Sequence, residues 1–139
     1  MIQIIAGNKG NGKTKYLLDK VNTEIKSVHG NIVYLDKNAK HMYELNNKVR
    51  LIDVSEYMIS NADEFVGLIK GIISQDHDLE QMYLDSFLKM ANLEGADISS
   101  ALDKIAVIGE KYHITFVLSI SLDPADLPEN MRDNVIVSL

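Results

Sequence analysis

Ile2–Ala6 (IQIIA) runs directly into Gly7-Asn8-Lys9-Gly10-Asn11-Gly12-Lys13-Thr14, and from there into Lys15-Tyr16-Leu17-Leu18-Asp19-Lys20-Val21. The apolar run reads as a buried strand. Tyr16, Leu17, Val21, Ile25 and Val28 recur at helical spacing, so a helix is expected from Lys13 to about Val28. The stretch Gly7–Thr14 fits G-x-x-x-x-G-K-[ST], a glycine-rich turn from a strand into a helix. Glycines at 7, 10 and 12 allow backbone angles that a side chain forbids. Successive N–H groups can then face inward and, with the helix N-terminus, cradle a phosphate. Lys13 is expected to reach the outer phosphates, and Thr14 to offer its hydroxyl to Mg²⁺. Asn8, Lys9, Asn11 and Lys15 complete the candidate binding set, with Lys9 either a solvated cation or an extra phosphate contact. The alternative is a glycine-rich turn that binds nothing. The agreement of the glycines, the lysine, the threonine and both flanking elements weighs against it.

Outward from this unit, short apolar runs alternate with amphipathic stretches. Gly30 precedes an expected strand at Asn31–Asp36, and residues 37–48 are polar without a clear period, a loop or a short helix. Val49–Val54 reads as a strand. Met58 to Ser74 reads as a helix with Phe65, Leu68, Ile69 and Ile72 inward. Gln81–Asp85 is a strand, and Asp97 to about Lys111 is a helix capped by Asp97 or Ser99. Ile114–Ile120 is a strand apolar on both faces. Pro124 and Pro128 punctuate the next loop, and Val135–Val137 is a last short strand. This alternation predicts an α/β, three-layer αβα domain over residues 1–139, with a mainly parallel sheet of five or slightly more strands.

Composition narrows the function. Of the 139 residues, 46% are hydrophobic and 24% charged, the mix of an ordinary globular domain, so a largely disordered chain is excluded. Cysteine is absent, which removes disulfide scaffolds, thiolate catalysis and zinc–thiolate sites. The 14 Lys and Arg face 20 Asp and Glu, a net charge of -6 that argues against nucleic acid as a partner. No apolar run approaches the roughly 20 residues of a membrane span. MIQIIAG lacks the pattern of a secretory signal, so a cytoplasmic setting and no membrane association are expected.

On the strand–loop–helix unit, and on the order of its remaining elements, the chain resembles the P-loop nucleoside triphosphatases. The resemblance implies Mg²⁺-dependent binding of ATP or a similar nucleoside triphosphate. It also implies a metal-holding aspartate at the end of a strand, and Asp85, closing Met82-Tyr83-Leu84-Asp85, looks like that residue. Its other reading is a cap on the next helix. Asp36 and Asp53 close the other candidate strands. Asp36 is the best candidate for a catalytic base, with a ribose contact or a solvated strand-end group as its other readings.

The element order resembles the RecA-like and thymidine-kinase-like, additional-strand branch. LDSF at 84–87 and YHITFVLSISLDPADLP at 112–128 are similar in layout to that branch. The branch implies that the Ile114–Ile120 strand separates the Asp85 strand from the first. It also implies a polar residue that senses the γ-phosphate, a place Ser119 or Ser121 could fill. Equally, Ser-Ile-Ser fits a strand end without a role. Thymidine kinases have a glutamate where Ser86 stands and a cysteine-held zinc lobe that this chain lacks. Replicative helicases, recombinases, and secretion and pilus-retraction ATPases are longer. Partition ATPases carry a second lysine where Asn8 stands.

The leading expectation is therefore a weak NTPase, an ATP hydrolase open to stimulation by a partner, with a homo-oligomer or a protein partner as the candidates. A nucleotide-dependent switch without turnover is the alternative, favoured by Ser86, and a small-molecule kinase is third. Arg132 or Arg50 would have to supply any arginine finger; otherwise each is a surface arginine. Glu80 is expected at the wrong end of its strand. His29, His41, His77 and His113 read as solvated or turn residues, 76–80 as a charged loop, and the six methionines as core filler.

Overall fold

A computed structural model describes residues 1–10 and 12–139. The strands are Ile2–Ala6 (β1), Asn31–Asp36 (β2), Arg50–Asp53 (β3), Leu79–Leu84 (β4), Thr115–Ile120 (β5) and Val135–Ser138 (β6). They form one sheet in the order β3-β2-β4-β5-β1-β6. Every pairing is parallel. The strand leading to Asp85 is thus separated from β1 by β5, the order the sequence reading anticipated.

The helices are Lys13–Glu24 (α1), Ala62–Ser74 (α2), Phe87–Met90 (α3) and Ser99–Tyr112 (α4). Period-two alternation along each strand divides the core between two faces. Ile5, Ile32, Tyr34, Tyr83 and Val117 pack against Leu17, Leu18 and Val21 of α1. Ile4, Val33, Leu35, Met82, Leu84 and Leu118 face the other helices, meeting Phe65, Ile69, Phe87 and Ile105. Each such side chain contributes about 1.5–3 kcal/mol on burial. The α1 crossover carries the chain across the sheet on one face, and α2 and α4 return it on the other. Right-handed crossovers require that change of face when the direction of travel reverses. The result is a three-layer αβα fold in which the C-terminal ends of the strands share one rim, where ligand-binding loops of such sheets gather.

Several boundaries differ from the sequence reading. The first helix ends at Glu24, and the Ile25 N–H is shared between Thr23 O and Val21 O. Val28 N still bonds Glu24 O at 3.2 Å, so the periodic pattern outlives the regular helix. The second helix begins at Ala62 and not at Met58, because Met58 has φ 53 and Asn61 caps the helix through Glu64 N. Ser60 N, one residue before the cap, donates to Glu64 Oε1 at 2.6 Å. The short α3 was not anticipated; Phe87, Leu88 and Met90 are all buried there. Asp97 Oδ1 accepts from Ser99 N at 2.9 Å, though Ile98 is the N-cap.

The methionines divide evenly, correcting their reading as core. Met82, Met90 and Met131 are buried, whereas Met1, Met42 and Met58 are exposed. Among the described residues no helix is long and apolar enough to cross a membrane.

Candidate functional site

The glycine loop leaves β1 and turns into α1 through Gly12, whose φ of 85 lies in the left-handed region that favours glycine. Among the described residues no side chain caps α1, and its first turn holds no acid. By contrast, α2 has Asn61 as its cap and Asp63 and Glu64 in its first turn. The α1 N-terminus therefore keeps its partial positive charge open to the rim. Gly7 is held from two sides: its N–H donates to Leu122 O at 3.0 Å, and Leu139 N donates to Ala6 O at 2.8 Å. Asn8, Lys9 and Gly10 are exposed, whereas Asn11 lies outside the described residues.

Lys13, the first residue of α1, is only 8% exposed. Its Nζ donates to Asn8 O at 2.8 Å, curling back beneath its own loop. No carboxylate lies within ion-pair distance of it among the described residues. Burial lowers its pKa from the ordinary lysine value, a shift that the charge of Asp85 partly opposes.

Asp85 directly follows β4, and three hydroxyls converge on its carboxylate. Thr14 Oγ1 donates to Oδ1 at 3.2 Å and Ser119 Oγ donates to the same oxygen at 2.7 Å. Tyr34 Oη donates to Oδ2 at 2.9 Å. Ser119 Oγ in turn accepts from Ser86 N at 2.7 Å, which ties the end of β5 to the turn after β4. No side-chain bond caps α3, so Asp85 is not a helix cap. Ser119 is occupied in holding Asp85, while half-buried Ser121 also lines the cleft.

Asp36 closes β2 next to Asp85: Leu35 pairs with Leu84, and Asp85 N donates to Leu35 O at 3.0 Å. Strand alternation puts Asp36 on the face of Tyr34. It is 2% exposed, which overturns its reading as a solvated strand-end group. Its Oδ1 accepts from Lys37 N at 2.7 Å, and its buried Oδ2 has no hydrogen-bond partner. Burial foremost, and then the charge of Asp85, push its carboxyl up to about 6; the Lys37 N–H, His41 and Lys37 work against them. Asp53 is engaged elsewhere, accepting from Ser55 N and Ser55 Oγ.

Lys13, Thr14, Asp85, Ser119, Lys9 and Gly10 line a cleft of about 370 Å³. Its outer wall adds Lys37, Lys89 and Glu94, and Lys9 Nζ meets Glu94 Oε2 at 3.1 Å across the mouth. Lys15 is not part of the lining; it is exposed and pairs with Asp19 at 3.2 Å. The arginines are committed elsewhere. Arg132 donates to Leu127 O and Ala125 O of its own loop, and Arg50 pairs with Asp76 at 3.5 Å, at the start of β3. Glu80, near the start of β4, accepts from Gly30 N and so lies at the opposite end of the sheet. His41 bonds Glu44, and His29, His77 and His113 are exposed. Among the described residues no group of three or more His, Asp or Glu is placed to hold a metal.

The sequence reading missed Tyr34, Lys37, Lys89 and Glu94. A signal for Tyr34 was present: residues 34 and 36 alternate onto one face of a strand, so a hydroxyl there could share a site with the strand-end acid. No family model and no curated protein matches the chain.

Proposed function

We propose that the chain binds a nucleoside triphosphate such as ATP with Mg²⁺ and hydrolyses it slowly. The observation that carries this reading is Lys13, a buried cation bonded to one backbone carbonyl at the mouth of a glycine loop. The charge of Asp85 acts on Lys13 from beyond ion-pair distance, so the buried ammonium remains costly and an anion in the cleft offsets that cost. The open α1 N-terminus and the free space around Gly10 and Gly12, where an added Cβ meets nothing within 4 Å, suit phosphate oxygens. The Thr14 hydroxyl and the Asp85 carboxylate are hard oxygen donors, the kind Mg²⁺ prefers. Bound Mg²⁺ supplies charge neutralisation on the phosphates. Lys13 and the loop N–H groups would hold the phosphates, and Thr14 and Asp85 would hold the metal, whereas Asp36, buried and outside the cleft lining, has no oxygen open to an attacking water.

A second reading, a nucleotide-dependent switch without turnover, is favoured by Ser86 after Asp85 and by the absence of a free arginine at the cleft. Any turnover is expected to be slow, since unassisted phosphate sites of this kind react slowly. Calorimetric titration with Mg·ATP, beside a folded Lys13→Ala variant, tests the proposal. Binding by the parent protein alone supports it. No binding by either at millimolar nucleotide ends it. Phosphate release measured on the same samples separates hydrolysis from switching.

A further inference from the structure

The cleft does not end at Lys13 and Thr14. Its outer wall is made by Lys37, which follows β2, and by Lys89 of α3 together with Glu94. In the strand order β2-β4-β5-β1, Lys37 stands beyond Asp85 on the side away from β1, while Glu94 reaches Lys9 of the glycine loop. Lys37 and Lys89 are both exposed, and neither has a carboxylate within ion-pair distance among the described residues. The exposed acid beside them, Glu94, is held by Lys9, and Asp36, which precedes Lys37, is buried. The Lys9 bond and charge, and then Lys89 and Lys37, hold the Glu94 carboxyl below the usual glutamate range. Four lysines thus surround two lining acids, Asp85 and Glu94, in a chain whose net charge is -6. A local cationic excess on an acidic protein calls for an anion.

Resting on the nucleotide reading above, we infer that Lys37 and Lys89 are ligands for the terminal phosphate, supplied by the chain itself. Glu94 is the resident anion that a triphosphate displaces. Lysine serves here as a point charge on a long stem, able to turn from a carboxylate to a phosphate without the fixed geometry a guanidinium needs. Both arginines are bonded away from the cleft, so these lysines take the place of an arginine finger. The recognised group is the terminal phosphate of a nucleoside triphosphate. A diphosphate, ending short of the outer wall, gains little from them.

The test is calorimetry with Mg·ATP and Mg·ADP on the parent protein and on Lys37→Ala, Lys89→Ala and Glu94→Gln, each checked for folding by circular dichroism. Each lysine variant is expected to weaken ATP binding about 10-fold while leaving ADP within about 2-fold, the scale of one charge-assisted contact. Glu94→Gln is expected to tighten ATP binding. Equal losses for ATP and ADP, or no loss for either, overturn the assignment of the lysines. Weaker ATP binding by Glu94→Gln overturns the role of Glu94. If the parent protein binds neither nucleotide, the nucleotide reading itself falls and takes this inference with it. Binding of ADP and ATP with equal affinity by the parent refutes the inference alone.

Discussion

Tyr34 Oη donates to Asp85 Oδ2 at 2.9 Å, joining the middle of β2 to the residue that closes β4. The phenol stacks on Tyr83 with ring centroids 6.1 Å apart and an interplanar angle of 11°. Burial foremost, with Asp85 beside it, raises the Tyr34 pKa well above the usual tyrosine value. It therefore stays protonated, and a donor, throughout the working pH range. Tyr34→Phe keeps the ring and removes the donor, leaving a buried carboxylate oxygen unpaired. The expected loss is about 1–3 kcal/mol in urea unfolding. Weaker Mg²⁺ dependence of nucleotide binding should accompany it, because one side of Asp85 is then unrestrained.

Asp36→Asn should stabilise the protein. The raised carboxyl pKa means that the folded chain holds this proton more tightly than the unfolded chain does. Its stability contribution is present below the unfolded pKa and is lost as pH rises through about 6. The variant is therefore expected to exceed the parent by about 1–3 kcal/mol at pH 7.5 and to match it near pH 4. Urea melts at the two pH values check this.

Lys13→Ala should separate binding from folding. Loss of the ammonium removes a buried cation that has a single carbonyl partner, so stability without ligand is expected to change by less than about 1 kcal/mol. Nucleotide affinity is expected to fall by at least about 100-fold, the scale of a desolvated charge–phosphate contact.

Gly7→Ala and Gly10→Ala should fail for different reasons. A Cβ on Gly7 would lie 2.5 Å from Leu139 O, and the backbone there has φ 154. Overpacking against a main-chain atom is expected to cost about 1–3 kcal/mol and to shift the join between β1 and the end of β6. At Gly10 the space is open, but φ is 82, so only the left-handed conformation is penalised, by about 1–2 kcal/mol. Thermal unfolding of the two variants, compared side by side, reads the difference.

Most of the fold was legible because it rests on local pattern. Continuous apolarity in the IVYL of NIVYLD and in TFVLSI marks buried parallel strands, and both lie within the sheet. The meeting of Thr14 with Asp85 was legible too, since each residue ends or begins an element whose position the topology dictates. Other features depend on contacts that no spacing encodes. Tyr34 reads as core until a neighbouring strand brings a carboxylate to its hydroxyl. Asp36 reads as solvated until packing around the rim removes water from it. Lys15 follows the loop motif directly, yet helical rotation turns it outward to Asp19. The cleft wall formed by Lys89 and Glu94 arises from α3 and the turn after it, a stretch too short for periodicity to reveal.

The pairing of β1 with β5 and β6 bears on the order of assembly. Ile2 pairs with Phe116, and Ile4 with Val135, so β1 obtains both neighbours from segments far downstream of it. Such distant partners cost loop-closure entropy before any contact rewards it, and they slow folding. Until those partners emerge from the ribosome, the glycine loop has no sheet to hold it. A nascent chain can shape α1 early, but a competent rim is among the last parts of the molecule to form.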